Sequence, residues 1–451
     1  MNIHLVTNIH LFLTLLILLS FCKTEITIPF ESKLCKSNEK NILLSNYYGQ
    51  FLYTPITIGS NKQPLEVALK LNRYITYFIG STVSNLKSEF FNEKNSDTYE
   101  IVDKKAIKSN EDEFFSSIKS TDNIKFGEKT NFNKYLFYLS QDQYFDETGH
   151  IGLEMTPSYL DANFKGDGFI DQLKSKSLIN SYSFYFKYDL KDEKELKYKG
   201  NLIIGGMPHE IEPSELFNKD NYVQTYVDST EFNNRWSIKI SKVNYGNHII
   251  TESESAEFST TFGLIEAPIR FIYIFDYFFN RTGCFSNYNS EEKDYLLMYC
   301  NKNIDISKFE NLVFYTSKKE VNFTLTYKDL FKEIGDYNYF LILFNEDLNV
   351  WKFGHIFLKK YTIVFDTDKK TVGYYYQPNE ENISDGSTKS FIIVILIIIS
   401  IIFALVIAGL LYYIYYYKKN KRKIRPNELE ENFDYTSKDD DKQKENNKLG
   451  V

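Results

Sequence analysis

The sequence predicts a mostly β protein with two similar lobes, followed by one transmembrane helix. Short apolar runs that alternate with polar residues, such as 202–204 and 362–365, are separated by glycine and asparagine turns. This pattern is typical of antiparallel strands. The two halves of residues 47–379 repeat the same order of strands weakly, which indicates a duplicated lobe. Finally, residues 391–414 form an uncharged apolar run, long enough to cross a bilayer as a helix.

The first 22 residues are interpreted as a secretory signal peptide. Residues 11–21 are apolar but too short to span a bilayer. No lysine or arginine precedes this run, so an uncleaved anchor stays open as the alternative. Residues 23–45 are expected to form a short stretch before the first lobe.

The apolar run at 391–414 predicts a single-pass type I membrane protein. Six lysines and arginines follow it between 418 and 425, and such a basic cluster marks the cytosolic side. Residues 380–390 would then be a stalk outside the membrane, and 415–451 a disordered tail in the cytosol. The large middle part would face the secretory lumen or the outside of the cell. A buried core helix is the alternative for this run.

Composition and motifs exclude several functions. The net charge of −7 and the pI of about 5.6 give no reason to expect a nucleic-acid partner. The six histidines have no metal-ligand spacing, and no phosphate loop or nucleophile elbow occurs. We therefore predict no metal and no cofactor.

Cysteines and sequons agree with an exported domain. Cys284 and Cys300 are close enough in sequence for a disulfide worth about 3 kcal/mol, and two free buried thiols are the alternative. Cys22 would leave with the signal peptide, which leaves Cys35 free or paired between chains. Three predicted glycosylation sites are weak individually because short motifs arise by chance. They are Asn280, Asn322 and Asn382.

Two lobes are predicted, at 46–212 and 213–379. In the first, a strand that begins at Tyr48 leads to Leu71. In the second, a strand that begins at Trp236 leads to Ser259. Helices are expected at 169–178, where the apolar residues lie on one face, and at 269–279, which is apolar on most sides.

An ordered series of motifs resembles the pepsin-like aspartic proteases, family A1. It includes Tyr-Tyr-Gly at 47–49, Gly-His-Ile-Gly-Leu at 149–153 and Gly-Asn-Leu-Ile-Ile-Gly-Gly at 200–206. A closing run from Trp351 to Asp366 completes it. The resemblance implies a bilobed double β-barrel with a cleft between the lobes. It also suggests that residues 25–30, which are similar to the start of a family prosegment, add a strand to the first lobe.

The family's two catalytic loops each read Asp-Thr-Gly, and neither aspartate is found here. Counting forward from Gly59 places Leu71 at the first aspartate and Arg73 at the glycine. In the second loop Ser259 replaces the aspartate and Thr261 the glycine. No aspartate precedes Asp97, so a small shift of register cannot restore the first one. The resemblance therefore implies a pseudoprotease without catalytic residues.

Two further features support that interpretation. Active members cover the cleft with a glycine-tipped flap, whereas residues 81–126 contain no glycine and have a charged expected tip at 104–112. Asp366-Thr367 looks like a displaced catalytic pair, but Asp368 follows where a glycine is needed. We assign Asp366 a structural role.

Several functions stay open. The leading hypothesis is a membrane-tethered, proteolytically inactive family member that binds an extended peptide or a secreted or surface protein. The alternatives are an active endopeptidase with noncanonical residues, a trafficking receptor, and a structural ectodomain with a filled cleft. If Leu71, Arg73, Tyr74 and Phe262 close the cleft, peptide binding is not expected.

Overall fold

Two large β-sheets dominate the computed structural model. It describes residues 25–34, 49–81, 90–107, 117–127, 130–140, 149–156, 164–189, 197–228, 235–289, 295–317 and 321–376. The predicted signal peptide, stalk, transmembrane run and tail lie outside these ranges, as do Cys35 and Asn382. Within them, no helix combines the length and apolar character that crossing a membrane requires. The prediction of a mostly β protein is confirmed for the described residues.

The strands are β1 Ile26–Leu34, β2 Gln50–Ile58, β3 Gln63–Lys70, β4 Tyr77–Ile79, β5 Glu100–Ile107, β6 Ser117–Phe126, β7 Thr130–Ser140, β8 His150–Gly152, β9 Ser183–Tyr188, β10 Lys199–Ile204, β11 Tyr222–Tyr226, β12 Ser237–Tyr245, β13 His248–Phe258, β14 Ile265–Pro268, β15 Phe285–Asn289, β16 Tyr295–Asn301, β17 Leu312–Thr316, β18 Asn322–Leu325, β19 Phe331–Ile334, β20 Tyr337–Phe340, β21 Ile342–Asn345, β22 Trp351–Phe353, β23 Val364–Asp366 and β24 Thr371–Tyr375. The α-helices are α1 Phe169–Ser175, α2 Pro208–Ile211, α3 Ile272–Thr282, α4 Tyr327–Leu330 and α5 His355–Lys360. Short 3-10 helices occur at Glu93–Asn95, Lys219–Asn221, Ile269–Phe271 and Ile306–Lys308.

The first sheet has 13 strands and closes on itself at one end. Its order is β11-β24-β23-β9-β10-β1-β2-β3-β8-β4-β7-β6-β5, and β2 also pairs with β6. That extra pairing joins β2, β3, β8, β4, β7 and β6 into a barrel, which removes exposed edges from this part of the sheet. The second sheet has 11 strands, in the order β18-β17-β12-β13-β22-β14-β21-β16-β20-β19, with β15 paired to β16.

The same strand arrangement occurs once in each sheet. In the first, β3 is parallel to β8, β8 is antiparallel to β4, and β4 is parallel to β7. In the second, β13 is parallel to β22, β22 is antiparallel to β14, and β14 is parallel to β21. This repeat confirms the duplicated lobe that the sequence predicts.

Strands from both halves of the chain join the two lobes. β23 and β24, from the end of the described chain, pair with β9 and β11 in the first sheet. β1 lies between β10 and β2: Ile26–Glu31 pair with β10, and Glu31–Leu34 pair with β2. The predicted addition of a strand by residues 25–30 is therefore confirmed.

The predicted helices differ slightly from the observed ones. α1 ends at Ser175 and buries Phe169, Ile170 and Leu173, as the spacing predicts. The segment expected to be helical from 269 begins instead as a 3-10 turn, and α3 runs to Thr282. Gly283 then ends α3 in the left-handed conformation, which favours glycine. Cys284 follows and forms a disulfide with Cys300, which confirms the predicted pair.

Candidate functional site

Two loops meet at the centre of the molecule, one after β3 and one after β13. Thr260 connects them: its hydroxyl donates to the Leu69 carbonyl at 2.7 Å and accepts from the Leu71 N–H at 3.3 Å. Thr260 is fully buried, so both bonds are shielded from water. Trp236 adds a second link between the halves because its indole N–H donates to the Leu153 carbonyl at 2.8 Å.

The repeated strand arrangement shows which residues of the two loops correspond. In the first lobe, the parallel register pairs Lys70 with Gly152. In the second, it pairs Phe258 with Phe353, which brings the next residue, Ser259, level with Gly354. Lys70 and Ser259 therefore occupy equivalent positions.

The two glycines support this correspondence independently. A Cβ on Gly152 would lie 2.6 Å from the carbonyl oxygen of the third residue after Lys70 and 2.5 Å from that of the fifth. A Cβ on Gly354 would meet the carbonyl oxygens of the third and fifth residues after Ser259, at 2.5 Å or less. Each loop thus wraps closely over a glycine, and the contacting residues have the same spacing from Lys70 as from Ser259.

This geometry differs by one residue from the count made on the sequence. Leu71 corresponds to Thr260, and its side chain belongs to the main hydrophobic core. Counting along a strand cannot decide between neighbouring residues, although they project from opposite faces. The alternation of buried Leu65, Val67 and Leu69 could have indicated that Leu71 points inward and Lys70 outward. Neither Lys70 nor Leu71 supplies a carboxylate.

Among the described hydrogen bonds, those of the Ser259 hydroxyl are local. It is 4% exposed, its hydroxyl lies 2.9 Å from the Thr261 hydroxyl, and it accepts from the Thr261 N–H at 3.2 Å. A serine nucleophile needs an adjacent base to remove its proton. A threonine hydroxyl cannot act as that base, so the observed contacts do not activate Ser259.

A basic cluster lies on the first-lobe side of the loops. Lys70 is only 7% exposed, and its Nζ lies 5.3 Å from the centre of the Phe51 ring. His150 is 8% exposed and stacks on Tyr77. Burial lowers the pKa of His150 well below its usual value, and the positive charges of Lys70 and Arg73 lower it further. His150 is therefore neutral at physiological pH.

The carboxylates nearest to Ser259 in sequence have partners of their own. Glu254 pairs with Arg270 at 2.8 Å. Glu257 pairs with Arg235 at 3.4 Å, and Glu266 with Lys352 at 3.6 Å. No two of these three acids contact each other in the described hydrogen bonds, so they do not reproduce a pair of carboxylates that shares a proton.

Asp366 closes the turn between β23 and β24. Its carboxylate accepts from the Lys369 backbone N–H at 3.0 Å and from the Lys369 ammonium at 2.9 Å. The neighbouring Thr367 donates its N–H to the Tyr182 carbonyl. These contacts give Asp366 a structural part in the sheet that joins the lobes.

Two of the residues that were considered as cleft-filling pack within the first lobe. Leu71 lies in the core, and Tyr74 lies against Gly168 and donates from its hydroxyl to Asp171 at 2.7 Å. Burial, and then the Asp171 charge, raise the pKa of Tyr74. Phe262 is buried against Gly354, whereas Arg73 is partly exposed. Leu71 and Tyr74 therefore do not close the cleft.

His355 is a buried polar residue that the sequence did not single out. Its Nε2 lies 2.8 Å from the Gln50 carbonyl oxygen, which only accepts, so Nε2 carries the proton. Its Nδ1 then accepts from the Tyr188 hydroxyl at 3.0 Å. Burial lowers the pKa of His355 to about 4, although the Gln50 carbonyl opposes that shift. His355 in the second half thus connects β2 and β9 of the first sheet.

The expected flap corresponds to the hairpin of β5 and β6. Tyr99 precedes β5, packs on Phe91 and lies 2.9 Å from the Ser120 hydroxyl. Lys119 of β6 pairs with Asp167 at 2.6 Å, just before α1. Residues 108–116, which include part of the predicted charged tip, lie outside the described residues.

The predicted glycosylation sites in the described part are accessible. Asn280 is exposed in the last turn of α3, and Asn322 is exposed in β18. The Thr324 hydroxyl of the second sequon donates to the Asn322 side-chain oxygen at 3.1 Å. Their modification stays a prediction. No group of three or more histidine, cysteine, aspartate or glutamate residues in the described ranges could hold a metal ion.

Comparison with known proteins gives one clear match. Residues 51–375, more than half of the chain, match the family model described as eukaryotic aspartyl protease. None of the curated proteins compared with the chain matches it.

Proposed function

Since this chain belongs to the eukaryotic aspartyl protease family, we propose that it is a member that binds extended peptides without cleaving them. One observation carries the proposal: the equivalent positions in the two central loops hold Lys70 and Ser259. Aspartic proteases need two aspartates that share one proton. One activates a water and the other stabilises the developing charge. A lysine and a serine cannot divide these tasks.

The geometry around the loops supports binding in place of catalysis. The hydroxyl of Thr260 still holds the two loops together. Leu71 and Tyr74 pack inside the first lobe, so neither side chain fills the space between the lobes. Extended peptides bind such clefts by strand-like backbone pairing, which requires no catalytic group.

Proteolysis is tested on the full chain purified in detergent. The chain is incubated with a mixed peptide library from about pH 4 to about pH 7, beside an active aspartic protease as the positive control. We expect no cleavage above that of a heat-denatured sample, and no difference between wild type and Ser259→Ala. Turnover that a statine-type inhibitor blocks and Ser259→Ala abolishes would instead establish an active endopeptidase with noncanonical residues.

Peptide binding is tested separately from catalysis. Partners are recovered from an acetylated and amidated octapeptide library by affinity selection, with wild type and with Thr261→Trp, which places a large ring between the loops. We expect recovery by wild type and its loss in the variant. Equal recovery by both would place any binding outside the cleft. If partners are lost only when residues 418–451 are deleted, the trafficking interpretation is favoured.

Membrane attachment is part of the same proposal and rests on the sequence. The apolar run at 391–414 and the basic residues after it predict a lumenal or extracellular domain with a cytosolic tail. Protease protection in sealed microsomes should spare the part before 380 and expose epitopes placed after 415. Release of the chain by carbonate washing would argue against a spanning segment.

A further inference from the structure

We propose that a cavity on the first lobe binds a sugar that carries a phosphate or sulfate group. The cavity has a volume of about 380 Å³, which is within the range of small-molecule sites. It lies between the turn that joins β2 to β3 and the hairpin of β6 and β7. None of its described lining residues belongs to the two central loops. The inference is therefore independent of the proposed peptide-binding function.

One wall of the cavity is a row of polar side chains on three neighbouring strands. Thr57 of β2 pairs with Lys125 of β6, and Lys125 pairs with Asn131 of β7. Residues directly opposite each other in antiparallel strands project from the same face, with Cβ atoms roughly 5 Å apart. The neighbouring Ile58 and Phe126 belong to the main hydrophobic core. The polar row therefore lies on the face of these strands that points away from the core.

The turn between β2 and β3 brings a second lysine to this cavity. Gly59 has a φ of 85°, and its N–H donates to the Asn123 carbonyl at 2.9 Å. Its own carbonyl accepts from the Lys62 N–H at 3.1 Å. These two bonds hold the turn against β6, so that Lys62 and Lys125 line the same cavity.

The cavity is positively charged. Lys62 and Lys125 are the charged members of its described lining, and that lining includes no acid. Neither lysine ammonium has a hydrogen-bond or ion-pair partner within the part of the chain that the structure describes. Two unpaired cations in one concave site attract an anion. A phosphate monoester suits them because it has close to two negative charges and three acceptor oxygens.

Two acids that are close in sequence do not neutralise these lysines. Asp97 contacts the Ser60 hydroxyl through its backbone N–H, at 2.9 Å, and its carboxylate is not part of the described lining. Asp122 is fully buried, and its carboxylate accepts from the Thr98 hydroxyl and from the Asn123 N–H. Both lysines thus stay available to a ligand.

The uncharged part of the lining favours a sugar as the carrier of the anion. Asn123, Asn131 and Asn133 contribute side-chain amides, each able to donate and to accept, and no aromatic ring lines the described cavity. The Asn123 Oδ1 accepts from the Lys134 N–H at 3.1 Å, which orients this amide, and none of the described hydrogen bonds uses its Nδ2. Sugar hydroxyls match such neutral donors and acceptors. Asn131 and Asn133 are exposed, so the cavity is open to the end of a glycan.

Isothermal titration calorimetry tests the site on the full chain, purified in a detergent without a sugar headgroup. The probes are glucose 6-phosphate, glucose and inorganic phosphate. We expect glucose 6-phosphate to bind at least about tenfold more tightly than either of the other two, since it alone uses both the lysines and the amides. Lys125→Gln should weaken its binding about tenfold, the change that one charge-assisted bond provides. Lys125→Arg should retain most of the affinity.

Matched variants separate a local effect from a general one. Asn131→Asp keeps the shape of the row but adds a negative charge beside Lys125, so it should weaken the binding of glucose 6-phosphate and not that of glucose. Lys239→Gln removes a lysine exposed on β12 of the second lobe and should leave all affinities unchanged. Thermal unfolding shows whether each variant is folded, and Lys62→Gln provides the test if Lys125→Gln does not fold.

Each remaining outcome contradicts one part of the inference. Equal affinities for glucose 6-phosphate and glucose would overturn the oxyanion, and equal affinities for glucose 6-phosphate and inorganic phosphate would overturn the sugar. Tighter binding of a phosphoserine peptide would also overturn the sugar. No binding of any probe, or full affinity in the variant without both lysines, would overturn the cavity as the site. Glucose 6-sulfate then identifies the oxyanion, because the ester that binds more tightly is the one the site prefers.

Discussion

The hydroxyl of Thr260 donates a 2.7 Å hydrogen bond to the backbone carbonyl of Leu69, across the junction of the two lobes. The equivalent position in the first loop holds Leu71, which has no hydroxyl to return the bond. The hydrogen bond from Thr260 is therefore not returned by the equivalent residue of the first loop. Both backbone groups that Thr260 satisfies are close to the core, so the residue combines a structural role with the alignment of the cleft.

Thr260→Val tests this connection. Valine has nearly the same shape but leaves the Leu69 carbonyl and the Leu71 N–H without this partner. We expect the free energy of unfolding to fall by about 1–3 kcal/mol, because buried polar groups that lose a partner pay their desolvation cost. Urea denaturation at neutral pH measures the change.

Thr261→Val is the matched control. The Thr261 hydroxyl contacts the Ser259 hydroxyl and does not bridge the loops. Thr261→Val should lower the free energy of unfolding by less than Thr260→Val does. Equal losses in the two variants would show that the bridge has no particular importance.

The buried His355 predicts a pH-dependent stability. Its pKa is about 4 in the folded chain because of burial, against 6.5 for an ordinary histidine. Between these values the unfolded chain binds more protons, so stability decreases as the pH falls from about 6.5 to about 4. The full effect of this residue is about 3 kcal/mol. Below pH 4 the folded chain also binds the proton, and this contribution stops changing.

The measurement compares wild type with His355→Gln at neutral pH and near pH 4. Acidification should lower the free energy of unfolding of wild type by about 3 kcal/mol more than that of His355→Gln. His150 is also buried, but it is present in both proteins and cancels. The exposed residue His248 provides a surface control variant, His248→Gln. An identical pH dependence of wild type and His355→Gln would refute the assignment.

The crowded glycines predict that Gly152→Ala and Gly354→Ala are both severely destabilising. In each, the new methyl group would lie 2.5 Å or less from a backbone oxygen of the loop that wraps over it. The backbone cannot move aside as a flexible side chain does. We therefore expect the free energy of unfolding to fall by about 1–3 kcal/mol or more.

Gly335→Ala serves as the comparison for these two variants. Its surroundings are open, and its φ of 62° adds only the strain of a left-handed alanine, about 1 kcal/mol. In thermal unfolding, the melting temperature of Gly335→Ala should be well above those of Gly152→Ala and Gly354→Ala. A mild effect at Gly152 together with a severe one at Gly354 would count against the equivalence of Lys70 and Ser259.

The disulfide predicts a further stability difference. Cys284 and Cys300 are separated by 16 positions. Closing a loop of about this length stabilises a protein by about 3 kcal/mol on the chain-entropy account. Replacing both cysteines by serine should lower the free energy of unfolding by about that amount. Dithiothreitol should destabilise wild type and leave the double variant unchanged, whereas equal sensitivity of both would point to Cys35.

Much of the fold could be predicted from local patterns. Alternation of apolar residues identified the strands of both lobes, and the spacing at 169–178 identified α1 because one face of it is buried. α3 continues beyond the predicted end at 279 to Thr282, and Gly283 caps it just before the disulfide-bonded Cys284. The exposed Tyr273 and Tyr277 made α3 look more buried in sequence than it is, because tyrosine counts as apolar although its hydroxyl tolerates water.

The candidate site was predictable only in part. That no aspartate precedes Asp97 is a property of the sequence alone, and it excludes an aspartate in the first loop whatever the register. The residue equivalent to Ser259 was not predicted correctly: the count along the sequence gave Leu71, whereas the structure gives Lys70. A shift of one residue reverses the face of a strand, and the pairing with Gly152 identifies Lys70 as the residue equivalent to Ser259.

The sequence by itself determined the strand-rich composition of the lobes, their repetition, the pairing partners Cys284 and Cys300, and the lack of an Asp-Thr-Gly motif in either half. These properties are encoded in neighbouring residues and in counts. Only the tertiary structure decided that Thr260 joins the loops, that His355 is buried between Gln50 and Tyr188, and that Lys70 and His150 share one face. Each of these relationships connects residues far apart in the chain. They arise from strand pairing and burial, which no local pattern specifies.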